Sequence, residues 1–162
     1  MESLTRGFFT HLNLVLLTTA FAVALIRVAL RKGPIWEELF KWNALIGTGA
    51  GCMYAFVIHG FFPALSARSL GWDISPFQWE VAAANFTIGL LGILSFRASY
   101  GFRLATVVAL TCWLWGAAIG HIRQMIVAQN FAPGNAGSWF WLDVLMPIFF
   151  IALIVMMKKR TP

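Results

Sequence analysis

Five long apolar segments constrain the fold of this chain more than any other feature. They cover residues 8–30, 42–65, 77–96, 102–128 and 139–157. A helix needs about 20 apolar residues to cross the roughly 30 Å hydrocarbon core of a bilayer. Because backbone polar groups cannot stay unpaired in lipid, and no alternating strand pattern appears, each segment is predicted to be a helix. The predicted fold class is an all-α polytopic membrane helix bundle, with residues 1–162 forming one membrane domain.

Composition and charge agree with this class. Charged residues make up 11% of the chain, against about 25% in soluble domains. The net charge of +6 does not indicate a nucleic-acid partner, because the basic residues lie between apolar segments rather than along one stripe. The expected partner is the lipid bilayer.

The distribution of basic residues predicts the orientation. Five crossings place the termini on opposite sides, and basic residues concentrate on cytoplasmic loops. The carboxy-terminal side carries Arg27, Arg31, Lys32, Lys41, Arg97, Arg103, Lys158, Lys159 and Arg160, whereas the other side carries Arg6, Arg68 and Arg123. We therefore expect a bacterial inner-membrane protein with a periplasmic amino terminus and a cytoplasmic carboxy terminus.

Two local patterns add detail. In the segment Arg31–Lys41, apolar side chains fall on one helical face and Glu37 and Glu38 on another, which predicts a short cytoplasmic helix lying in the membrane interface. Small residues predict close contacts between spanning helices. They occur as Gly47 with Gly51, Gly89 with Gly92, and Gly116 with Gly120.

Ionisable residues inside a membrane are costly, so each one indicates a possible site. His59 and His121 lie near the outer ends of the second and fourth segments, and Glu80 and Asp143 near the starts of the third and fifth. At a rise of about 1.5 Å per residue, all four fall at a similar depth on four different helices.

Three interpretations of this group remain open. His59, Glu80, His121 and Asp143 are metal-ligand types, which indicates a transition-metal site, although no Glu-x-x-His pair is present. Alternatively, the group binds a small molecule or carries protons. In the third interpretation, the carboxylates pair with His or Arg and only hold helices and loops together. The candidate ligand-binding residues are Trp72, Gln78, Asn85, Gln124, Asn130 and Asn135.

The cytoplasmic half shows no comparable polar cluster, which argues against a small transporter. No sequence motif of a hydrolase or nucleotide-binding enzyme occurs, so no catalytic residue is assigned.

Two stretches resemble a known family. They are HGFFPALSARSLGWDISPFQWEVAAANFTIGLLGIL, residues 59–94, and GHIRQMIVAQNFAPGNAGSWFWLDVLMP, residues 120–147. Together they resemble small bacterial and archaeal membrane proteins that form a domain family of unknown function and are similar in general shape to DoxX-like proteins. The resemblance implies the membrane location and the fold but no activity. The residues in the matching motifs are His59, Trp72, Ser75, Pro76, Gln78, Glu80, Asn85, His121, Asn130, Asn135 and Asp143.

The expected function follows from these observations. The sequence predicts an integral membrane protein with a periplasm-facing polar pocket for a metal or a small ligand. The alternative is an accessory subunit of a larger membrane complex, or a subunit of a homo-oligomer.

Overall fold

The computed structural model describes residues 11–158, and every regular element in that range is helical. Helix α1 is Leu12–Ala29. Helix α2 runs continuously over Ile35–Trp42, a π-helical stretch Asn43–Ala50 and Gly51–Phe61. The remaining helices are α3 (Pro63–Leu70), α4 (Phe77–Leu94, extended by the 3-10 turn Ser95–Arg97), α5 (Tyr100–Val127), α6 (Pro133–Ala136) and α7 (Ser138–Lys158). Arg6, Lys159 and Arg160, used above for orientation, lie outside the described residues.

Within residues 11–158, five helices are long and apolar enough to cross a membrane, which confirms the predicted number. They span Leu12–Ala29, Ile35–Phe61, Phe77–Arg97, Tyr100–Val127 and Pro133–Lys158. Their alternating direction creates two ends of the bundle. The loop end carries residues 61–77 and 128–138, and the basic end carries residues 27–41 and 95–103 together with Lys158.

A separate interfacial helix is not confirmed. The helical turns Ile35–Trp42 continue without a break into the rest of α2. Leu39 and Phe40 are buried, and the ring of Phe40 packs edge-on against Phe150 of α7 at 5.4 Å. The amphipathic segment therefore faces the protein core as the first turns of a spanning helix.

Glycines allow α2 and α4 to pack closely at the π-helical stretch. A Cβ added at Gly92 would lie 2.7 Å from the carbonyl oxygen of Ala44, and one at Gly89 would lie 3.1 Å from the carbonyl oxygen of Gly49. The predicted helix contact at Gly116 and Gly120 is not made within the described chain, because a Cβ at either position would meet no other described atom within 4 Å. These two glycines face outward because α5 turns another side to α7.

The basic end contains a buried polar cluster, so the expectation that none exists in this half is wrong. Glu38, with a side chain only 1% exposed, accepts hydrogen bonds from Arg27 at 3.2 Å, Lys41 at 3.1 Å and Trp42 at 3.0 Å. Amphipathicity alone placed Glu38 on a solvated face. It is buried because the turn after α1 folds α2 back against α1.

A second ion pair in this cluster joins α2 to α5. Both carboxylate oxygens of Glu37 lie 2.8 Å from Nη1 of Arg103, whose guanidinium also donates to the carbonyl oxygens of Ser95 and Phe96. Arg103 is only 5% exposed. Burial of this cation is tolerated because its donors are paired.

Candidate functional site at the loop end

The two connections at the loop end are folded against each other. Helix α3 begins with Pro63, a residue suited to a first helical turn, and ends at Gly71, whose φ of 67° is left-handed. Asn130 of the second connection donates to the carbonyl oxygens of Leu70 at 2.8 Å and Gly71 at 3.1 Å. A Cβ at Gly71 would lie 2.8 Å from Oδ1 of Asn130. Glycine is therefore required by both the backbone and the neighbour.

Asn135 is the centre of the first hydrogen-bond network. It is fully buried, and its Oδ1 accepts from Nε1 of Trp72 at 3.0 Å and from Nδ1 of His121 at 2.8 Å. Its Nδ2 donates to the carbonyl oxygens of His121 at 3.3 Å and Asn130 at 2.9 Å. Both amide hydrogens and the amide oxygen are thus used. The network connects both loops with α5.

His121 extends this network to α7. Because Nδ1 donates to Asn135, Nε2 is left facing Oδ2 of Asp143 at 3.6 Å. The rings of Trp72 and Phe140 lie 5.4 and 6.4 Å from the imidazole ring. The pair is too long for a direct hydrogen bond, and it becomes an ion pair only when His121 is protonated.

His59 belongs to a second network. Its Nδ1 lies 2.5 Å from Oε1 of Gln78, at the start of α4, and 3.1 Å from Oγ of Ser66 in α3. The Ser66 hydroxyl is 3.4 Å from Nε2. Gln78 and Ser66 approach the same ring nitrogen, whereas a Ser-His-acid triad uses opposite nitrogens. The geometry therefore does not describe an activated nucleophile.

An open cleft of about 370 Å³ adjoins this second network. Its wall is mainly apolar, and its polar members are His59, Ser75 and Gln78. The other lining residues are Gly60, Pro63, Ile74, Pro76 and Trp79. An apolar concavity with a few converging polar groups is the common form of a small-molecule site.

Three residues of the predicted set stand apart from both networks. Glu80 is exposed and has no hydrogen bond or ion pair within residues 11–158. Asn85 is buried and donates to the carbonyl oxygen of Val81 within its own helix at 2.9 Å. Gln124 is half-buried and contributes its backbone carbonyl, which accepts from the amide of Asn130 at 3.2 Å.

The four candidate metal ligands are not gathered into one group. Among the described residues, no set of three or more His, Cys, Asp or Glu side chains is placed to hold a metal ion. His121 and Asp143 face each other, His59 contacts Gln78 and Ser66, and Glu80 is exposed and bonded to neither network. A similar depth in the bundle does not bring four side chains together, because the rotation of each helix about its axis decides which side chains meet. Metal binding stays a prediction.

Sequence reasoning missed Ser66. It falls between the second apolar segment, residues 42–65, and the third, residues 77–96, where the sequence analysis predicts no element. Pro63 as a helix start and Gly71 as a helix stop are the signals that could have predicted α3. A helix there brings Ser66 back towards His59.

In the part of the chain that the structure describes, five helices apolar enough to cross a membrane are joined at one end by hydrogen-bonded polar loops, an architecture compatible with a multi-pass membrane protein. The chain belongs to a family of unknown function, DUF6790, whose sequence profile matches residues 10–162. This confirms the expected family of unknown function, while the likeness to DoxX-like proteins stays a prediction. No curated protein and no solved structure matches the chain.

Proposed function

We propose that this protein binds a neutral amphiphile, a molecule with an apolar chain and a hydroxyl head group, in the cleft at the loop end. The observation that carries the proposal is the placement of His59, bonded to Gln78, in a cleft wall that is mainly apolar. Trp79 in the cleft wall and Phe61, whose ring lies 6.1 Å from that of Trp79, are both exposed, so we expect the cleft to open towards lipid rather than towards a polar interior.

The hydrogen-bond pattern indicates the head group. The Oε1 of Gln78 can only accept, so Nδ1 of His59 carries the proton and Nε2 carries a lone pair. A ligand hydroxyl can donate to that lone pair in place of the Ser66 hydroxyl, which lies 3.4 Å from Nε2. None of the cleft residues is charged, and the neighbouring Asp73 and Glu80 are exposed carboxylates. An anionic head group is therefore disfavoured.

Photochemical crosslinking tests the proposal. Purified protein in detergent is irradiated with a long-chain alcohol that carries a diazirine, and labelled peptides are identified by mass spectrometry. We expect labelling in residues 59–79 that an excess of the unmodified alcohol suppresses. The matched fatty acid should label this segment less, because its carboxylate meets no cation in the cleft.

Two variants make the test specific. Trp79→Leu removes a cleft wall, whereas Trp141→Leu removes an aromatic side chain of equal exposure on α7; the two are 56% and 55% exposed. Labelling should fall in Trp79→Leu and in His59→Leu and persist in Trp141→Leu. Equal labelling of all lipid-facing helices, or equal loss in both Trp variants, would exclude the cleft as the site.

The proposed orientation places the basic end in the cytoplasm and the loop end outside a bacterial inner membrane. Its support is the excess of Lys and Arg at the basic end. In a variant without Cys52 and Cys112, a cysteine at Ser138 should react with an impermeant thiol reagent in intact cells. One at Thr161 should react only after lysis, and the reverse pattern would invert the topology.

The alternative function is that of a subunit in a larger membrane assembly. The open face at Gly116 and Gly120 favours it, because small residues admit a second helix. Cys112 lies one turn before Gly116 and is exposed. If two copies meet on this face, mild oxidation should link them through Cys112, and Gly116→Leu should abolish the product. If the unsubstituted protein stays monomeric both with and without oxidation, the alternative has no support.

A further inference from the structure

The turn between α1 and α2 has a specific helix-capping geometry. The amide of Lys32 donates to the carbonyl of Arg27, and the amide of Arg31 donates to the carbonyl of Val28, each at 2.9 Å. These two bonds form a Schellman motif in which Arg31 occupies the left-handed position, with φ 54°. Glycine is usual at that position because side chains are strained there.

The same chain has glycine at the corresponding position of α3, where the neighbouring Asn130 also leaves no room for a Cβ. At the end of α3, the amide of Trp72 donates to the carbonyl of Ala67 in the same pattern, and the left-handed residue is Gly71. Arg31 thus keeps a strained backbone that glycine would relieve. Such strain at an exposed cation indicates that its side chain has a role of its own.

Around Arg31 the positive charges outnumber the negative ones. Both carboxylates at this end, Glu37 and Glu38, are already paired with Arg103, Arg27 and Lys41. Within residues 11–158, the exposed cations Arg31, Lys32 and Arg97 have no ion-pair partner. Arg27 uses only Nε on Glu38, which leaves its two terminal amino groups able to donate.

Apolar surface lies directly beside these cations. Leu25, Ile26 and Leu30, on the last turns of α1, are 52%, 58% and 61% exposed. A bound molecule that matches this surface needs an apolar part along α1 and an anionic part at the turn.

We propose that the α1–α2 turn binds an anionic phospholipid. Its phosphate is held by Arg31 and Lys32 with the free donors of Arg27, and an acyl chain packs along Leu25, Ile26 and Leu30. Arginine forms paired hydrogen bonds with phosphate oxygens, and each basic residue near an anionic membrane surface adds to the attraction. This site is independent of the cleft at the loop end.

Native mass spectrometry of the detergent-solubilised protein tests the proposal. The protein is titrated with phosphatidylglycerol, phosphatidylcholine of the same acyl chains, or inorganic phosphate. We expect phosphatidylglycerol to bind about fivefold or more tightly than phosphatidylcholine. Inorganic phosphate should compete weakly, because it lacks the acyl chain.

The variant Arg31→Gly separates lipid binding from folding. It relieves the left-handed strain, so the thermal midpoint should stay constant or rise while phosphatidylglycerol binding falls about fivefold. Lys32→Gln should weaken binding similarly. The matched control Arg68→Gln with Arg123→Gln removes exposed cations from the loop end and should leave binding unchanged.

Three results would overturn the proposal. The first is equal affinity for phosphatidylglycerol and phosphatidylcholine. The second is an equal loss of binding in the control pair, which would show attraction by net charge alone. The third is strong competition by inorganic phosphate, which would assign the site to a soluble anion.

Discussion

Asn135 holds His121 through two contacts, one from its amide oxygen to the ring Nδ1 at 2.8 Å and one from its amide nitrogen to the His121 carbonyl at 3.3 Å. A single side chain therefore orients the imidazole and anchors the second loop to α5. The remaining nitrogen of His121 is directed at Asp143 as a result.

Asn135→Ala should destabilise the loop end strongly. The substitution leaves the buried Trp72 and His121 donors without this acceptor and removes the amide bond to the Asn130 carbonyl, at a cost on the order of 2–4 kcal/mol in unfolding free energy. Thermal unfolding in detergent, followed by the loss of monodisperse protein, measures the effect. Gln129→Ala is the matched control, since this exposed amide bonds only to the nearby Ile126 carbonyl. Equal midpoints for both variants would contradict the central role of Asn135.

Arg103 should be irreplaceable by lysine. Lysine keeps the charge but cannot bond Glu37 and two carbonyl oxygens with one planar group. We expect Arg103→Lys and Arg103→Met each to lower the unfolding free energy, by about 1–3 kcal/mol because Glu37 is one-third exposed. The neighbouring exposed Arg97→Met should change it little. A double-mutant cycle with Glu37→Gln measures the contribution of the ion pair to the unfolding free energy. If the effects of the two single substitutions simply add, the pair contributes nothing.

Alanine substitutions should have opposite effects at Gly92 and Gly116. At Gly92 a methyl group meets the Ala44 carbonyl at 2.7 Å, and forcing α2 and α4 apart costs about 1–3 kcal/mol. At Gly116 the methyl group enters open space, where alanine favours the helix by up to about 1 kcal/mol. Thermal midpoints of the two variants give the comparison. A similar loss at both positions would contradict the open face of α5.

Removal of metal should not alter stability. Structural metal sites take about four protein ligands, and the structure brings only His121 and Asp143 together. We expect dialysis against a chelator to leave the thermal midpoint unchanged, with elemental analysis before and after. If the chelator lowers the thermal midpoint, and His121→Ala lowers it as well, the result would instead support the four metal ligands predicted from the sequence.

The sequence alone was sufficient for the number of spanning helices and the membrane class. Hydrophobicity sums locally along a segment, so the five apolar runs could be identified without knowing their neighbours. Polar residues behaved differently. Glu38 looked like a residue of a solvated face and is buried, and Glu80 looked like a ligand and is exposed.

Side-chain partners were decided by the tertiary structure. The depth of His59, His121 and Asp143 could be estimated from the rise of a helix, but the rotation and tilt of each helix come from packing across the bundle. The contact of His121 with Asn135, rather than with His59, depends on α6 folding beneath the loop. Likewise, the left-handed strain at Arg31 exists only because α2 turns back onto α1. Local composition determined which segments form helices apolar enough to cross a membrane, and long-range packing determined which polar groups meet.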